Sequence, residues 1–142
     1  MLLFRAPSSR SASLGLAVLR IATGAVFINH GYAKLFKFGF AGVTDAFTHM
    51  GVPLPGIMGP FVGLLEFFGG IALVLGLLTR LFSLGLAIDM CVAILLVQLK
   101  KGFSGFEFEF MLMAASLALL LAGAGSFSVD AQIARRGGAG AS

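Results

Sequence analysis

Charge is scarce in this sequence. Of its 142 residues, 11% are Asp, Glu, Lys or Arg, against about a quarter in an ordinary soluble domain. A soluble fold of this size cannot cover its surface with so few charges. The hydrophobic share is 58% and the mean hydropathy +1.02, so the deficit points to a protein that lives in lipid, and the length suggests one domain. Cysteine is nearly absent. Cys91 alone excludes an internal disulfide, and thiol exchange would need a partner's sulfur. Its apolar surroundings predict a buried, unreactive thiol. There are two histidines, His30 and His49, and the second falls in a loop, so no metal site is expected. No haem-ligating pair, cysteine cluster or nucleotide-binding glycine loop occurs, so no intrinsic redox cofactor is expected either. The net charge of +4 comes from positives scattered over the tails and loops. No run of them makes a nucleic-acid stripe, and no nucleic-acid partner is expected.

What the sequence has in quantity is long apolar runs. A bilayer core of about 30 Å needs roughly 20 apolar residues per helix. Four candidates fit: Leu14 to Leu35, Ile57 to Leu78, Leu81 to Leu99, and Phe108 to Ala124. Only Thr79-Arg80 separates the second from the third, and a short loop, Lys100 to Gly105, follows the third. The expected fold is therefore all-α: an integral membrane four-helix up-down bundle with both termini on one side. The bundle should occupy residues 14–131, between flexible tails at 1–13 and 132–142. The first helix carries Arg20, Asn29 and His30 and lacks a convincing small-residue cleavage site, so it reads as a retained helix rather than a signal peptide. The first loop contains Phe40, Val43, Phe47 and Met50 at helical spacing, ended by Gly51-Val52-Pro53. It predicts a short amphipathic helix over residues 39–50 that serves as a structural lid or as a gate. Arg5, Arg10, Arg80, Arg135 and Arg136 fall on the terminal side, which favours both termini in the cytoplasm.

The polar residues inside these runs carry the information about function. Between Ile57 and Leu78 the only charge is Glu66. A charge in hydrocarbon costs several kcal/mol unless it is paired or neutralised, so Glu66 should face the bundle interior. At about 100° per residue, Arg20, Thr23, Phe27, His30 and Lys34 form one stripe on the first helix. Gly59, Gly63 and Gly70 lie near the face of Glu66, where small residues allow close helix approach. On the third helix Gly85 and Ala93 share the face of Asp89. Glu107 and Glu109 sit at the start of the fourth, where acids suit the helix dipole, and Glu109 is also placed to join a central network. Depth counted from each helix end pairs Arg20 with Asp89 and His30 with Glu66, leaving Lys34 to snorkel toward the surface.

Several of these residues fall in short motifs. Arg20 with HGYAKL (His30 to Leu35) is followed by GVPLP (Gly51 to Pro55) and E-x-x-G-G (Glu66, Gly69, Gly70). LGLLTR (Leu75 to Arg80) and a closing GAGSFSVD (Gly123 to Asp130) complete the series. In this order and spacing, from about Leu14 to Ala131, the chain resembles the DoxX family of small four-helix membrane proteins. The resemblance implies a subunit or accessory part of an oxidoreductase system. Some members resemble the small membrane subunit of a thiosulfate:quinone oxidoreductase, and others associate with thiol-oxidant defence proteins. It also implies a bacterial inner-membrane location.

Two functions remain open at this point. One is a quinone-linked redox subunit, in which Glu66 and His30 pass protons while Arg20, Lys34, Asp89 and Phe27 bind the ring. Its electrons would come from another membrane or redox subunit. The other is a non-catalytic structural or assembly subunit, held in the bilayer with other subunits or with a second copy of itself. Transport of a proton, ion or small solute ranks below both, because four helices leave little room for alternating access.

Overall fold

The computed structural model describes residues 6–139. Arg5, counted in the charge balance above, lies outside the described residues. Among the described residues six α-helices occur in order: α1 (Ser9–Tyr32), α2 (Gly39–His49), α3 (Pro55–Leu75), α4 (Thr79–Ala93), α5 (Phe103–Ala122) and α6 (Val129–Ala139). Wider π-type turns extend α1 through Ala33–Phe38 and α4 through Ile94–Gln98. Among the described residues, four helical stretches are long and apolar enough to cross a membrane: Ser9–His49, Pro55–Leu75, Thr79–Lys101 and Phe103–Ala122. The expected all-α, four-span architecture is therefore present.

Local chemistry sets the joints. Ser8 caps α1, its hydroxyl accepting from the Ser11 N–H. Pro55 opens α3 at the position where a missing N–H costs nothing. Gly76 closes α3 in the left-handed conformation (φ 70°) that glycine adopts without penalty. The residues expected as a separate short helix at 39–50 are helical as Gly39–His49. They continue from the π-type turn after α1, with Gly39 at positive φ as the joint. Helix also covers residues 9–13 and 132–139, which the sequence placed in the tails.

The interior is built on two close helix pairs, α1 with α3 and α4 with α5. Glycine makes the first possible. A β-carbon at Gly24 would lie 2.6 Å from the Gly70 carbonyl, and one at Gly70 would lie 2.7 Å from the Gly24 carbonyl. The helices thus touch backbone to backbone, as small-residue seams allow in lipid. A β-carbon at Gly31 would run into the backbone of Phe67. Gly31→Ala is accordingly expected to destabilise the folded protein by about 1–3 kcal/mol through overpacking. Thermal unfolding in detergent measures this, and an unchanged midpoint would show that the seam is looser than described. The buried apolar core joins Phe27, Leu73, Leu86, Met90, Leu112 and Leu119. Large apolar side chains such as Val18, Ile57, Leu81, Leu95 and Leu121 face outward, as a lipid solvent permits.

Candidate functional site

A cavity of about 300 Å³ opens among α1, α3, α4 and α5, with Phe47 of α2, Met50 and Val52 also in its wall. Most of its lining is apolar. The exceptions are His30, Lys34, Glu66, Asp89, Gln98 and Glu109. Five of the six residues expected at a site, Glu66, His30, Lys34, Asp89 and Phe27, meet here. The sixth, Arg20, does not.

Glu66 is brought in by α3, whose Gly63 and Gly70 let α1 come close on either side of it. It is 3% exposed, and its carboxylate accepts from Lys34 Nζ at 2.5 Å. Lys34 stands in the π-type turn after α1, and its Cβ lies against the Gly63 backbone. The expected His30–Glu66 pair is therefore corrected. On the first-helix stripe His30 is turned toward α5, and its ring packs at 5.4 Å from that of Phe108. Lys34 does not snorkel out, because its long flexible stem reaches back to the buried acid. An isolated buried carboxylate costs several kcal/mol, and this pairing is what makes the position tolerable.

Asp89 enters from α4 and lies beside Glu66 and Lys34. Its Oδ2 is buried without a hydrogen-bond partner. Gln98, in the second π-type turn, donates from Nε2 to Glu109 Oε1 at 3.1 Å, while its Oε1 is also buried and unpartnered. Glu109 thus joins the cavity, one of its two expected roles. Gln98 was missed by sequence reasoning. A uniform helix puts Lys100 on the Asp89 face, but the π-type turn shifts the phase of the residues after Ala93. The available signal was that Gln98 is the sole polar side chain between Cys91 and Leu99. Both π-type turns contribute to the cavity wall, and such irregular turns concentrate at functional sites.

Arg20 is buried elsewhere, at 2% exposure. The expected Arg20–Asp89 pair does not form. Its guanidinium donates to the carbonyls of Leu73 (3.3 Å), Val74 (3.1 Å) and Phe127 (2.7 Å). The physical reason is stagger. Arg20 is eleven residues into α1, yet it sits level with the last turn of α3. The first turns of α1 therefore overhang α3, and Ser13 accepts from the Ser126 N–H there. Depth counted from the start of α1 consequently misplaces every residue on it. At this end Asp130 completes a latch. Its carboxylate accepts from the N–H groups of Leu78 (2.8 Å) and Thr79 (2.9 Å), and its own N–H donates to the Gly76 carbonyl (2.9 Å). Leu78 stands at φ 48°, a region disfavoured for a side chain with a β-carbon, and Asp130 holds it there. The LGLLTR and GAGSFSVD motifs are thus two halves of one structural clamp with Arg20.

Comparison with known proteins gives a consistent result. The DoxX family model matches residues 15–99. A Bacillus subtilis protein named "Putative oxidoreductase CatD" is 33% identical over 123 residues, 86% of this chain and 89% of that protein. The Escherichia coli protein named "Inner membrane protein YqjF" is 36% identical over 122 residues, covering 82% of this chain and 90% of its own. A Mycobacterium tuberculosis protein named "Uncharacterized membrane protein Rv3486" is 29% identical over 132 residues, 83% of this chain and 80% of its own. No solved structure matches the chain.

Proposed function

The chain belongs to the DoxX family, and from that membership and the cavity we propose that it is a membrane subunit of an oxidoreductase system whose cavity holds a quinone ring. The observation that carries the reading is the buried Lys34–Glu66 pair, with Asp89 beside it, in a cavity that is otherwise apolar. Ligand sites are mainly apolar, with a few placed polar groups that fix orientation, and they occupy about 300–1,000 Å³. The cavity falls at the lower end of that range, enough for a ring while a tail stays in lipid.

The residues divide the work. Phe27, Phe47 and Phe108 supply flat apolar wall. Lys34 and His30 can donate hydrogen bonds to ring oxygens. Glu66 and Asp89 can hold or release a proton next to the ring, with the Lys34 charge beside them. A bound quinone supplies two-electron, two-proton chemistry. This chain contributes binding and proton handling, and the electrons come from a partner membrane or redox subunit. The name of the Bacillus relative supports an oxidoreductase role. That of the Escherichia relative supports an inner-membrane location. The arginines at the terminal side, Arg10, Arg80, Arg135 and Arg136, favour both termini in the cytoplasm.

The test is equilibrium binding of decylubiquinone to the detergent-purified full chain, wild type beside Glu66→Gln. The expected result is saturable binding of one quinone per chain, weakened at least tenfold in Glu66→Gln with helix content unchanged. Absence of saturable binding to wild type would sink the reading and leave the buried pair a packing role in an assembly subunit.

A further inference from the structure

Resting on the quinone reading, we propose that the cavity is built to recognise the reduced ring, a hydroquinone, through its two hydroxyl protons. Two donors of the lining are already engaged. Gln98 Nε2 donates to Glu109, and Lys34 donates one of its protons to Glu66. Among the described residues, the two buried lining atoms without partners are Asp89 Oδ2 and Gln98 Oε1. Both are acceptors. The amide oxygen bonds only to something that brings a hydrogen, and so does the Asp89 oxygen unless it carries the proton itself.

The two forms of the ring differ in that one respect. A quinone carries carbonyl oxygens and has no proton to offer, so at these positions it sets acceptor against acceptor. A hydroquinone carries an O–H at each end. It can donate to Asp89 Oδ2 and to Gln98 Oε1 while its oxygens still accept from Lys34 or His30. Lys34 and His30 therefore serve either form, and the unpartnered acceptors discriminate, Gln98 Oε1 always and Asp89 Oδ2 while it carries no proton. A site built to bond a hydroxyl rejects the analogue that lacks it, because its own buried polar group is then left unpaired. The placement suits one ring. Asp89 and Gln98 lie on one helical stretch, Thr79–Lys101, and both line the same cavity of about 300 Å³. A cavity of that size takes one ring with a hydrogen bond at each of these residues.

The position of Gln98 makes the arrangement specific. The π-type turn over Ile94–Gln98 places Gln98, rather than its neighbours Leu99 and Lys100, on the wall shared with Asp89. The reduced form is thus read at two places: Asp89 at the buried pair, and Gln98 where α4 approaches the start of α5.

The experiment uses the detergent-purified full chain under argon and isothermal calorimetry with three ligands that share one ring: duroquinol, duroquinone and the dimethyl ether of duroquinol. Duroquinol is expected to bind at least tenfold tighter than duroquinone. The dimethyl ether, which has the same ring oxygens without their protons, should bind no better than duroquinone. Gln98→Met, which keeps length and removes the acceptor, should lose most of the preference. The ether comparison needs no mutation, so the proposal stays testable even if a variant fails to fold. Equal or tighter binding of duroquinone, or a dimethyl ether that matches duroquinol, overturns this inference and leaves the quinone site standing. Failure of all three ligands to bind overturns the quinone site and the inference together.

Discussion

Lys34→Met is expected to destabilise the folded protein by about 3–5 kcal/mol, and Lys34→Met/Glu66→Leu to recover most of that loss. Removing one member of a buried ion pair strands the other as an uncompensated charge, whereas replacing both with apolar side chains of similar volume is often neutral. The Glu66 side chain is 4% exposed and that of Lys34 21%, so solvent screens the pair only slightly. Reversible unfolding in mixed micelles, with denaturing detergent as the perturbant, measures all three proteins. Quinone binding, read on the same samples, separates the two roles of the pair. The double variant should fold and fail to bind. A double variant as unstable as Lys34→Met would show that charge compensation is not what holds these helices, and one that binds normally would remove Glu66 from the site.

Arg20→Ala is expected to cost at least about 4 kcal/mol and to loosen the Gly123–Asp130 segment ahead of the rest of the bundle. Three carbonyls lose a charged donor at once, and bonds to a charged group contribute about 1.5–3 kcal/mol each. Leu73 and Val74 lie in the last turn of α3, where carbonyls lack their usual helix partner four residues on, and the Leu73 carbonyl shares Arg20 with the Gly76 N–H that caps the helix. Phe127 belongs to the segment that brings Asp130 to the start of α4. The effect should therefore be local first: amide exchange at residues 125–130 speeds up while the α1–α3 seam stays protected. Arg20→Lys should recover only part, since a single ammonium cannot match the planar fork across three acceptors. Uniform loss of protection across all helices would contradict the latch. Loss of quinone binding in Arg20→Lys at full stability would return Arg20 to the ligand site.

The two variants probe opposite ends of the molecule, and the sequence foretold those ends to different degrees. The runs from Leu14, Ile57, Leu81 and Phe108 announced four spans, because a bilayer tests each segment for length and apolarity almost independently of the others. That Glu66 turns inward was equally legible, since an acid amid 21 uncharged neighbours between Ile57 and Leu78 has nowhere else to go. Face counting on straight helices also gathered Phe27, His30 and Asp89 to the same interior as Glu66, although it put Arg20 there as well and let Lys34 snorkel to the surface.

Partner identity was not legible, because it depends on how far one helix slides along another. The sequence holds the glycines that permit the α1–α3 contact, but the register in which Gly24 meets Gly70 and Gly31 meets Phe67 is settled by packing. That register carries the first turns of α1 past the end of α3. It takes Arg20 from Asp89 to the α3 carbonyls and puts Lys34 within reach of Glu66. The two π-type turns act similarly. Each changes the angular phase of the residues beyond it, bringing Gln98 onto the Asp89 wall where uniform rotation would have put Lys100. By itself the sequence determined a four-span membrane bundle with an acid at its centre, because those features come from the transfer of single segments into lipid. Only the tertiary structure decided which cation serves that acid and which arginine serves the clamp, because hydrogen bonds act over about 3 Å and a slide of one helical turn moves a side chain by about 5.4 Å.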